Sequence, residues 1–150
     1  MEGKALEFSF VDQDGKTVSD ATLQGRPYVL YFYPKDDTPG CTTEACGIRD
    51  AWSKFESAGI QVFGVSKDDA QSHHKFIDKY GLPFPLLTAT EEQLEALGVW
   101  KEKNLYGRKY MGINRETFLV DGDGKIAKHY KKVKPAEHAE QLLADAAELI

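Results

Sequence analysis

With 150 residues, 41% of them hydrophobic and 29% charged, the chain has the length and composition of one globular domain with a packed core. Its 24 Asp and Glu outnumber 19 Lys and Arg, and the net charge of −5 argues against broad binding to nucleic acid or to an anionic membrane. No run reaches the roughly 18 apolar residues of a membrane span, and the charged opening Met1-Glu-Gly-Lys-Ala5 does not read as a signal peptide, so a cytoplasmic protein is expected. Two cysteines in such a chain suggest redox or metal chemistry rather than a disulfide framework.

Taken in order, Leu6, Phe8 and Phe10 alternate with polar residues, and Asp12-Gln-Asp-Gly15 supplies a turn, which predicts an N-terminal β-hairpin over 6–18. Residues 28–33 form an apolar run that ends at Pro34 and reads as a buried strand. Beyond it, Ile48, Ala51, Trp52 and Phe55 recur at helical spacing, predicting a helix from about Gly40 to Ser57 with Gly59 as its cap. A second buried strand is expected at 60–65. Asp68 or Asp69 can cap the next helix, whose face is His73, Phe76, Ile77 and Tyr80 and which Gly81 ends.

Residues 82–87 form an extended loop or short strand, and 91–97 a short helix. The segment 99–116 reads as irregular, with its basic residues a solvated face. Two strands at 117–120 and 125–130 flank the turn Asp121-Gly-Asp-Gly124, and a last helix runs from Pro135 to Ile150 with Ala139, Leu142, Leu143, Ala146 and Ile150 inward. No repeat or linker interrupts the chain. Strands alternating with helices, then a hairpin and a final helix, predict an α/β thioredoxin-like fold: a mixed central β-sheet flanked by helices, in one domain over 1–150.

The chemistry concentrates in Tyr31 to Asp50. Cys41 lies at the expected helix N-terminus, where partial positive charge and free N–H groups favour an anion, and a thiol so held ionises more easily. Cys46 follows at i+5. On an intact helix that step means about 140° of turn and Cα atoms roughly 8–9 Å apart, beyond the roughly 4.4–6.8 Å of a disulfide. Either the two never bond, or bonding unwinds the first turns. The pair is thus two unrelated small residues, or a reactive thiol and a resolving thiol coupled to local unfolding.

Thr38, three residues before Cys41, can cap the helix with its hydroxyl. It can also donate to a Cys41 thiolate and to a substrate oxygen. Pro34 and Pro39 stiffen the loop, and Gly40 lets a substrate approach the backbone. Arg49, on the cysteine helix, is a weak candidate for electrostatic support. His73 and His74 point about 100° apart on a helix, which suits structural roles better than one metal site. The Asp121-Gly-Asp-Gly124 turn lacks the ligand spacing of a calcium loop.

The segment PKDDTPGCTTEAC, Pro34 to Cys46, resembles the bacterioferritin comigratory protein, or peroxiredoxin Q, group of peroxiredoxins. The P-x-x-x-T-x-x-C pattern within it is similar to the family's peroxidatic motif. Similarity extends to Gly98-Val-Trp-Lys-Glu-Lys103, Tyr106 to Ile113, Arg115-x-Thr-Phe118 and Asp123-Gly-Lys-Ile126, nearly the whole chain. The chain departs from the group at Ala5-Leu-Glu-Phe8, where Ala-Pro-x-Phe is usual, and at Thr88-Ala-Thr90, where Ser-Asp is usual.

The resemblance implies that Cys41 is the peroxidatic nucleophile and Cys46 the resolving thiol. It implies that Pro34 shields the thiol, that Thr38 positions peroxide, and that Arg115 stabilises the thiolate and the developing charge, with Gly40 beside the substrate. It implies peroxide substrates, thioredoxin or a similar dithiol as reductant, no cofactor, and a monomer. A thiol–disulfide oxidoreductase would prefer Cys-x-x-Cys or Cys-x-x-x-Cys. A non-catalytic module on the same fold would not need Pro34, Thr38, Cys41 and Arg115 together.

Overall fold

The computed structural model describes residues 2–149, so the expectation that Ile150 faces the core lies outside the described residues. Its strands are β1 (Ser9–Asp12), β2 (Thr17–Ser19), β3 (Tyr28–Phe32), β4 (Gln61–Ser66), β5 (Leu86–Thr88), β6 (Trp100–Leu105), β7 (Arg108–Ile113), β8 (Glu116–Val120) and β9 (Ile126–Tyr130). Its helices are α1 (Pro39–Asp50), α2 (Trp52–Ala58), α3 (Ala70–Tyr80), α4 (Glu91–Ala96) and α5 (His138–Ala146), followed by a 3₁₀ turn at Ala147–Leu149.

Seven strands form one mixed sheet in the order β2-β1-β5-β4-β3-β8-β9. β3, β4 and β5 run parallel, and β8 pairs antiparallel to β3. All five residues of β3 are buried, and they alternate between two cores as strand geometry requires. Tyr28, Leu30 and Phe32 join Leu6, Phe8, Phe10, Leu94 and Phe118 on one face. Val29 and Tyr31 join Cys41, Ile48, Phe55, Phe76 and Leu142 on the other, beneath α1, α2, α3 and α5. The thioredoxin-like layering expected from the sequence is present. Gly64 in β4 has no room for a side chain, since a Cβ there would meet Leu86 Cδ2 and Tyr31 Cζ at 2.8 Å.

Three expectations are corrected. The single helix over 40–57 is two, broken at Ala51 (φ −97°, ψ 9°), whose N–H reaches back to the carbonyls of Gly47 and Ile48. Trp52 therefore begins α2 and stacks near Phe55 and Phe84. The segment 99–116 is not irregular: β6 and β7 pair from Trp100↔Ile113 to Leu105↔Arg108. Its two-residue turn is Tyr106 (φ 52°) and Gly107 (φ 79°), the positive pair of a type I′ hairpin. Tyrosine in place of the usual Asn or Asp concealed it. Third, α5 starts at His138 rather than Pro135, and it brings a buried histidine that the apolar pattern omitted.

Candidate active site

The site lies at the carboxyl end of β3, the usual place for function in an open α/β sheet. The loop 34–38 leads from the strand to α1, and α3 holds that loop in place. Buried Asp36 accepts hydrogen bonds from the Tyr33 hydroxyl (2.5 Å) and Ser72 (2.8 Å), and lies 2.7 Å from His73 Nδ1. His73 Nε2 faces the Leu87 carbonyl at 3.1 Å, so both ring nitrogens are engaged. Asp37 takes the left-handed conformation (φ 56°) and accepts from Lys79 (2.8 Å) and the Tyr80 hydroxyl (2.7 Å). His74 points away to exposed Asp14.

Because His73 is fully buried between Asp36 and the Leu87 carbonyl, removing it leaves a cavity and breaks a buried hydrogen-bond network. His73→Ala is expected to destabilise the protein by about 2–3 kcal/mol, and His74→Ala by less than about 0.5 kcal/mol, as read by urea unfolding.

Thr38 occupies the N-cap position of α1 with extended backbone, but its side chain caps no N–H. Its hydroxyl instead donates to the Lys35 carbonyl at 2.9 Å. The expected donation to Cys41 is absent among the described residues, and the first N–H groups of α1 keep no side-chain cap. Pro34 is exposed and lines an open cleft of about 300 Å³ with Trp100, Lys103, Tyr110 and Ile113.

Cys41 is buried, Cys46 is half-buried, and both are free thiols. Arg115 comes from the residue before β8, which is 74 positions away in sequence. The antiparallel register ends on Phe32↔Glu116, so Arg115 arrives beside the loop that leaves β3. Its Nη2 donates to Cys41 Sγ at 3.3 Å, and its Nη1 donates to Glu44 Oε1 at 3.0 Å. Gly40 makes room for this. A Cβ at position 40 would stand 3.0 Å from Arg115 Nη2. Burial opposes the Arg115 charge, but Cys41 and Glu44 together more than offset it.

Arg49 does not join the site. It donates to the Tyr80 carbonyl at 2.7 Å and pairs with Asp50, tying α1 to the end of α3.

Three residues near Cys41 went unrecognised in the sequence. Glu44 is fully buried one helical turn beyond Cys41. Desolvation pushes its carboxyl up to about 7 although Arg115 pulls the other way. An acid on the inward stripe of Cys41, Ala45 and Ile48 was the available signal, since a buried carboxyl needs a cation. His138, buried on α5, lies 2.8 Å from Thr117 Oγ1 and 4.0 Å from Glu44 Oε2. Lys103, half-buried on β6, has its charge disfavoured by burial and then by Arg115, and favoured by Cys41. It belongs to the site's field rather than to a solvated face.

Residues 1–129 match the AhpC/TSA family. The chain belongs to that family. Among curated relatives, a putative peroxiredoxin Bcp of Coxiella burnetii is 46% identical over 141 residues, covering 93% of each chain. Peroxiredoxin Bcp of Bacillus subtilis is also 46% identical over 93% of this chain and 90% of its own. Solved structures agree. Peroxiredoxin Q of Xanthomonas campestris superposes with a TM-score of 0.87 at 39% identity, covering 94% of this chain and 90% of the other. A PrxQ cysteine mutant of Xylella fastidiosa reaches 0.91 at 32% identity, over 99% and 96%. The family likeness expected from PKDDTPGCTTEAC is thus present along the whole fold. No described helix is long and apolar enough to cross a membrane.

Proposed function

We propose that this chain reduces hydrogen peroxide and organic hydroperoxides through the Cys41 thiolate, and that Cys46 resolves the oxidised sulfur. The enzyme is a thiol-dependent peroxidase that draws on a thiol reductant. A Xanthomonas campestris relative is described by its alkyl peroxide reduction activity, which supports the inclusion of organic hydroperoxides. The observation that carries the reading is the Arg115 fork, with one arm on Cys41 Sγ and the other on Glu44.

The thiolate attacks the nearer peroxide oxygen, the O–O bond breaks, and the departing oxygen takes a proton to leave as water or alcohol. Cys41 becomes a sulfenic acid. An ordinary thiol with pKa of about 8.5 is about 3% ionised at pH 7, so full ionisation gains at most about thirtyfold. Most of the acceleration therefore comes from alignment and from stabilising the leaving oxygen. Arg115 supplies that charge. The single Thr38 proton is committed to Lys35, but its oxygen retains lone pairs that can accept from the hydroperoxide O–H. In this reading Pro34 shields the thiol, and Gly40 leaves the Arg115 guanidinium room beside Cys41.

The sulfenic acid then condenses with the Cys46 thiol, forming the S–S bond and releasing water. That step requires α1 to unwind, and its composition favours this: Gly40, Thr42, Thr43 and Gly47 are poor helix formers. The break at Ala51 limits the melting. In the disulfide form, amides of 40–50 are expected to lose hydrogen-exchange protection while those of 53–58 keep it. Trp52, which begins α2, would then report repacking rather than unwinding. Loss of protection through residue 58 would contradict this boundary.

Thioredoxin or a similar dithiol returns the enzyme to the free thiols, and an intramolecular disulfide lets it work as a monomer. The cytoplasm, which keeps dithiols reduced, suits the cycle. Timing Cys41 oxidation by one equivalent of hydroperoxide tests the reading. It is expected to run at least about a hundredfold faster than a free thiol. A rate equal to that of free cysteine would leave only a thiol–disulfide oxidoreductase or a non-catalytic domain.

A further inference from the structure

The segment that must unwind carries, midway between its two cysteines, a buried carboxyl whose second oxygen is unmatched. Glu44 Oε1 holds Arg115 at 3.0 Å, but Oε2 has no hydrogen-bond partner among the described residues. The groups that face it are few. From α5, His138 Nε2 lies 4.0 Å away and bonds Thr117 at 2.8 Å. Burial pushes His138 down to about 4, so it stays neutral and offers no counter-charge at ordinary pH. From β3, the Tyr31 hydroxyl is also unpartnered, and its pKa lies well above the usual value through burial, then Glu44, then Cys41. It is neutral too. On α1 itself the neighbour is Cys41, and among the described residues Arg115 is the one cation that bonds the carboxyl. A carboxylate with one filled oxygen and one dry one is under-stabilised, and a proton relieves it.

We propose that Glu44 is a positioning residue that makes the opening of α1 depend on pH: closed, it holds Arg115 on Cys41, and open, it carries its carboxyl into water. Any unwinding that brings Cys46 to Cys41 displaces Glu44, because it lies between them. The closed helix binds the proton and the open one releases it to solvent. The folded pKa of about 7 lies above the ordinary carboxyl value of 4.5. Closure is therefore favoured fully below about 4.5, and that preference fades as pH rises through about 7. The opening equilibrium should grow on the order of a hundredfold across that window and level off above it. The same carboxyl thus supports peroxide attack while closed and, once ionised, favours release of the helix for resolution. This rests on the Cys41–Cys46 reading above.

Hydrogen exchange of α1 amides, corrected for the intrinsic pH dependence of exchange, tests it without redox chemistry. In Cys41→Ser protein the opening of α1 should rise at least tenfold from pH 5 to pH 7.5. In Cys41→Ser/Glu44→Gln protein, where the amide keeps the Arg115 contact but cannot ionise, it should stay flat. A companion measurement follows Cys41–Cys46 disulfide formation after one peroxide pulse. The Cys46 thiol contributes its own tenfold per pH unit in both backgrounds. The ratio of wild type to Glu44→Gln should therefore climb between pH 5 and 7 and be constant above. Opening that is independent of pH in the first protein, or equally dependent in both, overturns the proposal. Normal pH-dependent opening with no Cys41–Cys46 disulfide upholds it and instead removes Cys46 as the resolving thiol.

Discussion

Arg115→Met is expected to slow the oxidation of Cys41 by hydroperoxide by about 10²–10³-fold, the range seen when one preorganised donor to a developing anion is lost. Nη2 donates to the sulfur at 3.3 Å, and in the proposed reaction it faces the departing oxygen. Arg115→Lys should recover only part of the rate, because one ammonium cannot hold Sγ and Glu44 Oε1 in fixed geometry together. The variant also strands a buried carboxyl, which is expected to lower stability by about 2–4 kcal/mol. That loss should be smaller at pH 5, where Glu44 is protonated, than at pH 8. Adding Glu44→Gln should restore stability and leave the rate low. Stopped-flow oxidation and urea unfolding on the same proteins separate the two effects. A double variant that regains the wild-type rate would mean that Arg115 acts only through the fold.

Cys41→Ser is expected to abolish peroxide consumption altogether, and Cys46→Ser to consume one equivalent per chain and then stop cycling with thioredoxin. The asymmetry follows from position. Cys41 sits under the Arg115 fork, while Cys46 lies five residues on with no cation placed on its sulfur among the described contacts. Mass spectrometry should find sulfenic or further oxidised Cys41 in Cys46→Ser, and a disulfide in the wild type. The reverse pattern, with Cys46→Ser cycling normally, would assign resolution to an external thiol.

The corrections share a cause. Apolar spacing at 48, 51, 52 and 55 describes a face, and a face survives a one-residue break, so α1 and α2 looked continuous. The β6–β7 hairpin projects with Leu105, Tyr106, Tyr110 and Met111 exposed, so it lacks the half-buried alternation by which strands are recognised. Arg49 and Arg115 were both surface arginines as far as composition went. Only the direction of α1 and the register of β8 separated them.

By itself the sequence determined the strand–turn–helix that carries the thiol, the spacing that keeps Cys41 and Cys46 apart on an intact helix, and the layered α/β order. These are local properties, written in periodicity, glycine and proline. The tertiary structure alone decided which charges meet the sulfur. Arg115 precedes β8, while Glu44, His138 and Lys103 lie on α1, α5 and β6, and no local pattern relates them. The antiparallel pairing of β8 with β3 and the packing of α5 under α1 bring them together. Burial then does what sequence cannot express: it turns an ordinary glutamate into a group that holds its proton to about pH 7.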